Sequence, residues 1–197
     1  MNRPHHFNLL ARVLHWSMAV AIFAMLFVGA GMVVSLQYRA QLLSLHRPLG
    51  IAILLLAIVR LVNRLTRPTP PLPADLPAIQ KLAAHASHWL LYALMLAMPL
   101  IGWAMLSAGG YPIPMFGGVH LPAILPHSPE LYGMLRPLHG VLAYLLFLTV
   151  LGHLGAALYH AWVRRLTLKR IDDSAHFIMW DQPRRFQQEV AAFLTAP

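Results

Sequence analysis

Cysteine is absent from all 197 residues, which excludes disulfides, iron–sulfur ligation, thiol catalysis and the C-x-x-C-H attachment of a c-type haem. Charge is scarce as well: charged side chains make up 11% of the chain, against roughly 25% in a soluble domain. Only six residues are acidic. What fills the sequence instead is apolar, at 58% hydrophobic residues and a mean hydropathy of +0.60, so a water-soluble fold is not expected. The net charge of +9 would suggest nucleic acid in a polar protein. Here the basic residues stand between and after apolar stretches rather than on a periodic polar face, which makes them topology signals and not a nucleic-acid footprint.

A membrane-spanning helix needs about 20 mostly apolar residues, and four stretches qualify. The pattern predicts helices over about 9–34, 42–65, 82–106 and 138–163. The apolar run after Arg12 is much longer than the roughly 7–15 residues of a signal-peptide core, so the first helix is expected to stay in the mature protein. The second helix carries arginines at its ends, Arg47, Arg60 and Arg64, whose long stems can bring the charge to the interface. Pro68 to Pro73 stiffens the connection to the third helix. The segment from Gly109 to Pro137 is rich in Gly and Pro and is expected to be non-helical. Residues 1–171 read as one all-α, four-helix integral membrane domain and 172–197 as a polar, short amphipathic or loosely ordered tail.

Orientation follows from the Lys and Arg positions. Arg3, Arg12, Arg60, Arg64, Arg67, Lys81, Arg164, Arg165, Lys169, Arg170, Arg184 and Arg185 fall on one side, against Arg39, Arg47 and Arg136 on the other. Both termini are therefore expected in the cytoplasm, with the Gly109–Pro137 segment on the opposite, periplasmic side of a bacterial inner membrane.

Ionisable residues inside a membrane span are costly and usually mark a functional site. Of the twelve histidines, four form two level pairs. His15 lies about one turn into the first helix, His46 opens the second on the other side, and the fourth helix carries His139 and His153. The latter two are fourteen residues apart, about 21 Å along an α-helix and only about 40° apart in azimuth. One face of the fourth helix thus offers imidazoles at two depths. His139 pairs with His46 and His153 with His15, which is what two stacked porphyrins in a bundle core require. Zinc or copper would accept histidine too, but two levels so far apart cannot serve one small ion. Gly29, Gly31, Gly50, Gly102, Gly140, Gly152 and Gly155 would let a flat macrocycle approach, or serve only helix packing.

At the cytoplasmic end His85 and His88 begin the third helix one turn apart, and His160 lies one heptad beyond His153. With Lys81 they are suited to hydrogen-bond a quinone carbonyl and supply its protons; interfacial solvation is the alternative. His5, His6 and His176 read as solvated, and His120 and His127 have no decisive partner.

Taken together these residues resemble the bacterial cytochrome b561 family, of the superoxide oxidase type, which shares its fold with the cytochrome b subunits of nickel–iron hydrogenases. The likeness rests on Leu14-His15-Trp16, on His46-Arg-Pro-Leu-Gly50, and on Val59-Arg60-Leu-Val-Asn-Arg64-Leu followed by Pro68-Thr-Pro-Pro71. His85-Ala-Ser-His88 with Tyr92, Leu138-His139-Gly140 and the His153–His160 spacing complete it. The resemblance implies two haem b groups with His15, His46, His139 and His153 as axial ligands to iron. It also implies electron exchange with ubiquinone, His88 and His160 matching quinone-site positions. The longer outer loop and the tail beyond about Ile171 depart from the family pattern and leave the donor open.

The leading expectation is a diheme oxidoreductase that carries electrons from a periplasmic one-electron donor such as superoxide to ubiquinone. Such a protein needs no side-chain nucleophile, so no catalytic residue is assigned. Arg47 and Arg136 beside the outer pair, and Arg60 and Arg64 near the inner one, would hold haem propionates or draw in an anion. The alternative is a haem-bearing membrane anchor that passes electrons between a docked periplasmic redox enzyme and the quinone pool. A third class, a transporter or structural four-helix protein, would be colourless when purified. The topology is directly testable: alkaline phosphatase fused after Pro197 should be inactive, and strong activity there would reverse the inner and outer assignments.

Overall fold

In the computed structural model the described residues are 8–67, 77–159, 162 and 183–195. The prolines between the second and third helices lie outside them, as do Arg3, His5, His6, His160, Arg164, Arg165, Lys169, Arg170 and His176. The described residues fall into two compact units, Met1–His153 and Leu154–Pro197, whose division lies inside the fourth long helix.

Four helices are long and apolar enough to cross a membrane: α1 (Leu9–Val34), α2 (Arg39–Thr66), α3 (Ala78–Ala108) and α4 (Pro129–Leu158). Helices are what an apolar chain must form in lipid, where no water can satisfy a bare backbone group. α1 opens on Asn8, whose Oδ1 accepts the Ala11 N–H at 2.7 Å and so caps an otherwise orphaned donor. α2, α3 and α4 continue through Pro48, Pro99 and Pro137, each of which forfeits one backbone hydrogen bond.

α4 begins nine residues earlier than the sequence pattern suggested, so only Gly109–Ser128 is loop. Gly133 and Pro137 read as breakers, but the start signal stands upstream of them. Ser128 receives the Leu131 N–H on its Oγ, Pro129 occupies the first helical position where its missing N–H costs nothing, and Glu130 adds negative charge to the first turn. Arg136 accordingly lies two turns inside α4 and not in a loop. α2 and α3 also extend three to four residues beyond their expected N-terminal ends.

Within the first unit α1 packs along α2, and α2 along α3. The core at these seams holds Met18, Ile22, Ile53, Ala57, Tyr92, Leu94, Met95 and Leu146. Lipid is as apolar as leucine, so helix association rests on close packing and not on expulsion of water. Small residues permit it: Ala57 is fully buried, and a Cβ on Gly31 would stand 3.0 Å from Leu42. The opposite faces carry exposed Phe27, Leu55, Leu148 and Tyr144, as a lipid-facing surface should. α4 behaves differently: its backbone hardly approaches its neighbours, and Leu146 is its one buried residue among those described.

In the second unit, α5 (Pro183–Thr195) places Phe186 and Val190 one turn apart on one side of the helix. The tail, expected to be short amphipathic or loosely ordered, contains a regular helix over these residues.

The tight seams make a prediction. Ala57→Leu adds three carbons where there is no room, and should cost about 1–3 kcal/mol and lower the detergent melting temperature, whereas Leu55→Ala on the lipid face should leave it nearly unchanged.

Candidate functional site

The helices α1, α2 and α3 bring their histidines toward α4 at two depths. Towards the loop end, His46 on α2 and His139 on α4 face each other with ring centroids 6.1 Å apart and planes at 68°. Towards the end where α1 begins, His15 on α1 and His153 on α4 stand 6.5 Å apart at 73°. The two separations share one meaning. Two imidazole nitrogens each about 2 Å from one metal, with half a ring width added on both sides, place the centroids about 6 Å apart. Direct stacking or hydrogen bonding between rings is not needed to explain that spacing.

The loop-side pair sits beside an apolar cavity of about 50 Å³, walled by Met25, Met95, Met98 and Gly50 as well as the two histidines. A Cβ on Gly102 would come within 3.3 Å of His139 Cε1, so the absence of a side chain there is what lets the ring lie against α3. Three buried polar atoms at this level have no hydrogen-bond partner: His46 Nδ1, His139 Nδ1 and Arg47 Nε. The Met98 carbonyl lies close to the His139 ring without completing a hydrogen bond to Nδ1. Buried polar groups are satisfied in the great majority of cases, so orphaned atoms gathered at one level point to an interaction with something other than the protein.

The second level is built differently. Arg60 Nη2 lies 2.9 Å from His15 Nδ1, and a guanidinium can only donate, so His15 Nδ1 is the acceptor. The Arg60 guanidinium also lies 5.6 Å from the centroid of the buried Tyr92 ring, a cation–π arrangement in a water-poor setting. His153 has a second ring neighbour, His88 on α3, at 5.3 Å. The sequence grouped His88 with Lys81, His85 and His160 at the end of the bundle nearest the His15–His153 level. His88 is in fact part of the His15–His153 level. Its neighbour His85 is exposed one turn earlier, Lys81 is half-buried near the start of α3, and His160 lies outside the described residues.

Of the arginines singled out from the sequence, Arg60 and Arg47 thus reach the two levels, Arg64 is half-buried one turn beyond Arg60, and Arg136 is exposed on α4. Arg60's grip on His15 had one signal in the sequence: an arginine where the α2 apolar run ends must find a partner or water. The methionine walls of the loop-side chamber had none, since Met at helical spacing is ordinary core. Among the described residues no cluster of three or more His, Asp or Glu forms a metal site, so what the fold offers a metal is pairs.

Comparison with known proteins gives the arrangement a context. The sequence pattern of prokaryotic cytochrome b561 matches residues 6–171. Cytochrome b561 homolog 2 of Escherichia coli K12 is 30% identical over 175 residues, covering 86% of this chain and 93% of the relative. A probable superoxide oxidase of Yersinia pestis is 36% identical over 131 residues, 64% of this chain and 71% of the relative. Cytochrome b561 homolog 1 of E. coli K12 is 29% identical over 120 residues, covering 61% and 68% respectively.

Proposed function

This chain belongs to the prokaryotic cytochrome b561 family, membrane haem proteins of electron transfer, and on that premise we propose that it carries two b haems. His46 and His139 hold one of them, and His15 and His153 the other. The observation that carries this reading is the pair of histidine separations, 6.1 and 6.5 Å, repeated about 21 Å apart along α4.

The surroundings suit an iron porphyrin. Apolar walls of Met25, Met95 and Met98 suit a macrocycle, the convergent imidazoles would ligate its iron, and Arg47 brings an unpaired buried donor suited to a propionate. Ligating histidines ordinarily donate their second ring N–H to a carbonyl, the part that Met98 is placed to play for His139. A bound haem would supply a one-electron carrier.

The protein's own residues then set the ends of the path. We place the donor on the periplasmic, loop side, where Arg47 and Arg136 favour the approach of a small anion such as superoxide. On the cytoplasmic side Lys81, His85 and His88 hydrogen-bond ubiquinone and deliver the protons its reduction requires. The balance is two superoxide anions, one quinone and two protons giving two dioxygen molecules and one quinol. The Yersinia relative's name supports superoxide as donor. Contact of His88 with His153 supports a quinone bound within reach of the second level.

Two measurements check this. Pyridine haemochrome analysis should find two haems per wild-type chain, and one in each of the alanine variants of His15, His46, His139 and His153; two in all four variants would sink the ligand assignment. In stopped-flow spectra, superoxide should reduce the wild-type haems at a rate that falls with added salt, and Arg47→Ala with Arg136→Ala should slow it by about tenfold. His88→Ala should slow reoxidation by ubiquinone with both haems retained. Haems that superoxide never reduces would remove it as donor.

A further inference from the structure

The Gly109–Ser128 loop takes no part in holding the histidine pairs, yet it is firmly built. Gly110, at φ +69°, turns the chain off the end of α3 in a conformation that favours glycine. Trp103 Nε1 donates to the Pro122 carbonyl at 2.8 Å, and the Ile124 N–H donates to Ser107 Oγ at 3.1 Å. A small antiparallel bridge joins Pro114 to His120, flanked by Met115 N–H to Val119 O at 2.7 Å and Leu121 N–H to Ile113 O at 3.0 Å. Between the end of α3 and this folded loop lies a cavity of about 350 Å³. That lies within the range of small-molecule sites, roughly 300–1,000 Å³.

Its chemistry is restrictive. The lining contains no Lys, Arg, Asp or Glu, so it offers nothing to a free anion or cation. Ile113, Leu121 and Ala123 give it apolar walls, and Tyr111 an aromatic one. Ser107 Oγ is already occupied, donating to the Trp103 carbonyl and accepting from Ile124. Besides the Tyr111 hydroxyl, which can itself donate, His120 is the side-chain polar group suited to accept. Its Nδ1 lies 3.0 Å from the Gly118 carbonyl, which can only accept, so the ring proton sits on Nδ1 and Nε2 carries a lone pair. One histidine with no second donor is no metal site. A ligand that matches is uncharged, mostly apolar, flat enough to lie against Tyr111, and furnished with one hydrogen-bond donor. Compounds of that kind collect at the membrane–water boundary, as Tyr and Trp side chains do, and the end of a spanning helix is at that boundary.

We propose that this loop pocket is a binding site for a small uncharged hydroxylated aromatic, a phenol or hydroquinone, whose hydroxyl donates to His120 Nε2. The site is distinct from the histidine pairs and does not depend on their assignment. Ser107 stands five residues beyond Gly102, about 7.5 Å further along α3, which puts the pocket just above the His46–His139 level.

The test uses the haem-loaded full chain in lipid nanodiscs, with 4-ethylphenol and its methyl ether 4-ethylanisole as probes and ligand-observed NMR as the readout. The phenol should bind, the ether at least tenfold more weakly because it has no hydroxyl to donate. Ala123→Trp, which fills the cavity from an exposed position, should abolish binding of both; His120→Phe should reduce the phenol to the level of the ether. Each variant must keep the wild-type haem spectrum, which reports that the bundle is intact. Equal binding of phenol and ether would mean an acyl-chain groove and overturn the proposal, as would phenol binding that survives Ala123→Trp or no phenol binding at all.

Discussion

A histidine ring inside a bilayer must give its nitrogens to something, because no water is there to take them and a polar group left unpaired in hydrocarbon costs several kcal/mol. Much of this fold can be understood as the answer to that demand. α1, α2 and α3 pack closely with glycine and alanine at their seams, while the backbone of α4 keeps its distance and meets them through side chains, Leu146 in the core and His139 and His153 at the two levels. Helices drawn together by packing alone would close on one another. A helix held off by imidazole pairs at a metal-like spacing is positioned for a group between them, and membership of a haem family says of what kind that group is.

How much of this was legible in the sequence differs between levels of structure. The four spans could be read from apolar runs, since lipid enforces one length scale and one secondary structure. So could the level pairing of His15 with His153 and His46 with His139, because helical rise converts sequence separation into depth. The start of α4 could not be read by weighing Gly133 and Pro137 as breakers. In a membrane, neighbouring groups and local adjustments tolerate proline, and the decisive signal was the cap formed by Ser128 and Pro129. Depth is also only half of a position. The rotation of α3 about its axis brings His88 against His153, and nothing in spacing along one helix reports the azimuth of another.

The same limit explains the loop. Its Gly and Pro content marked it as irregular but was silent on shape, which depends on side-chain to backbone bonds between residues as far apart as Trp103 and Pro122. His120 had no decisive partner in sequence for that reason. The Gly118 carbonyl that fixes its tautomer is only two residues away, but reaches it through Gly117 and Gly118 at positive φ, a turn whose form is not dictated by composition alone.

The two histidine levels are not equivalent, and their difference bears on the direction of electron flow. At the loop side both Nδ1 atoms lack a completed hydrogen bond, and Arg47 Nε stands without a partner, so its charge is available to an anionic substituent that would neutralise it. At the other level the Arg60 guanidinium is applied to the His15 ring itself at 2.9 Å. On the proposed ligation, a positive charge beside a ligating ring would favour the state with one more electron, more strongly in a medium of low dielectric than in water. A cation compensated by a carboxylate does so less. On that reading an electron entering at the loop side would run toward the His15–His153 level, beside which His88 stands on α3.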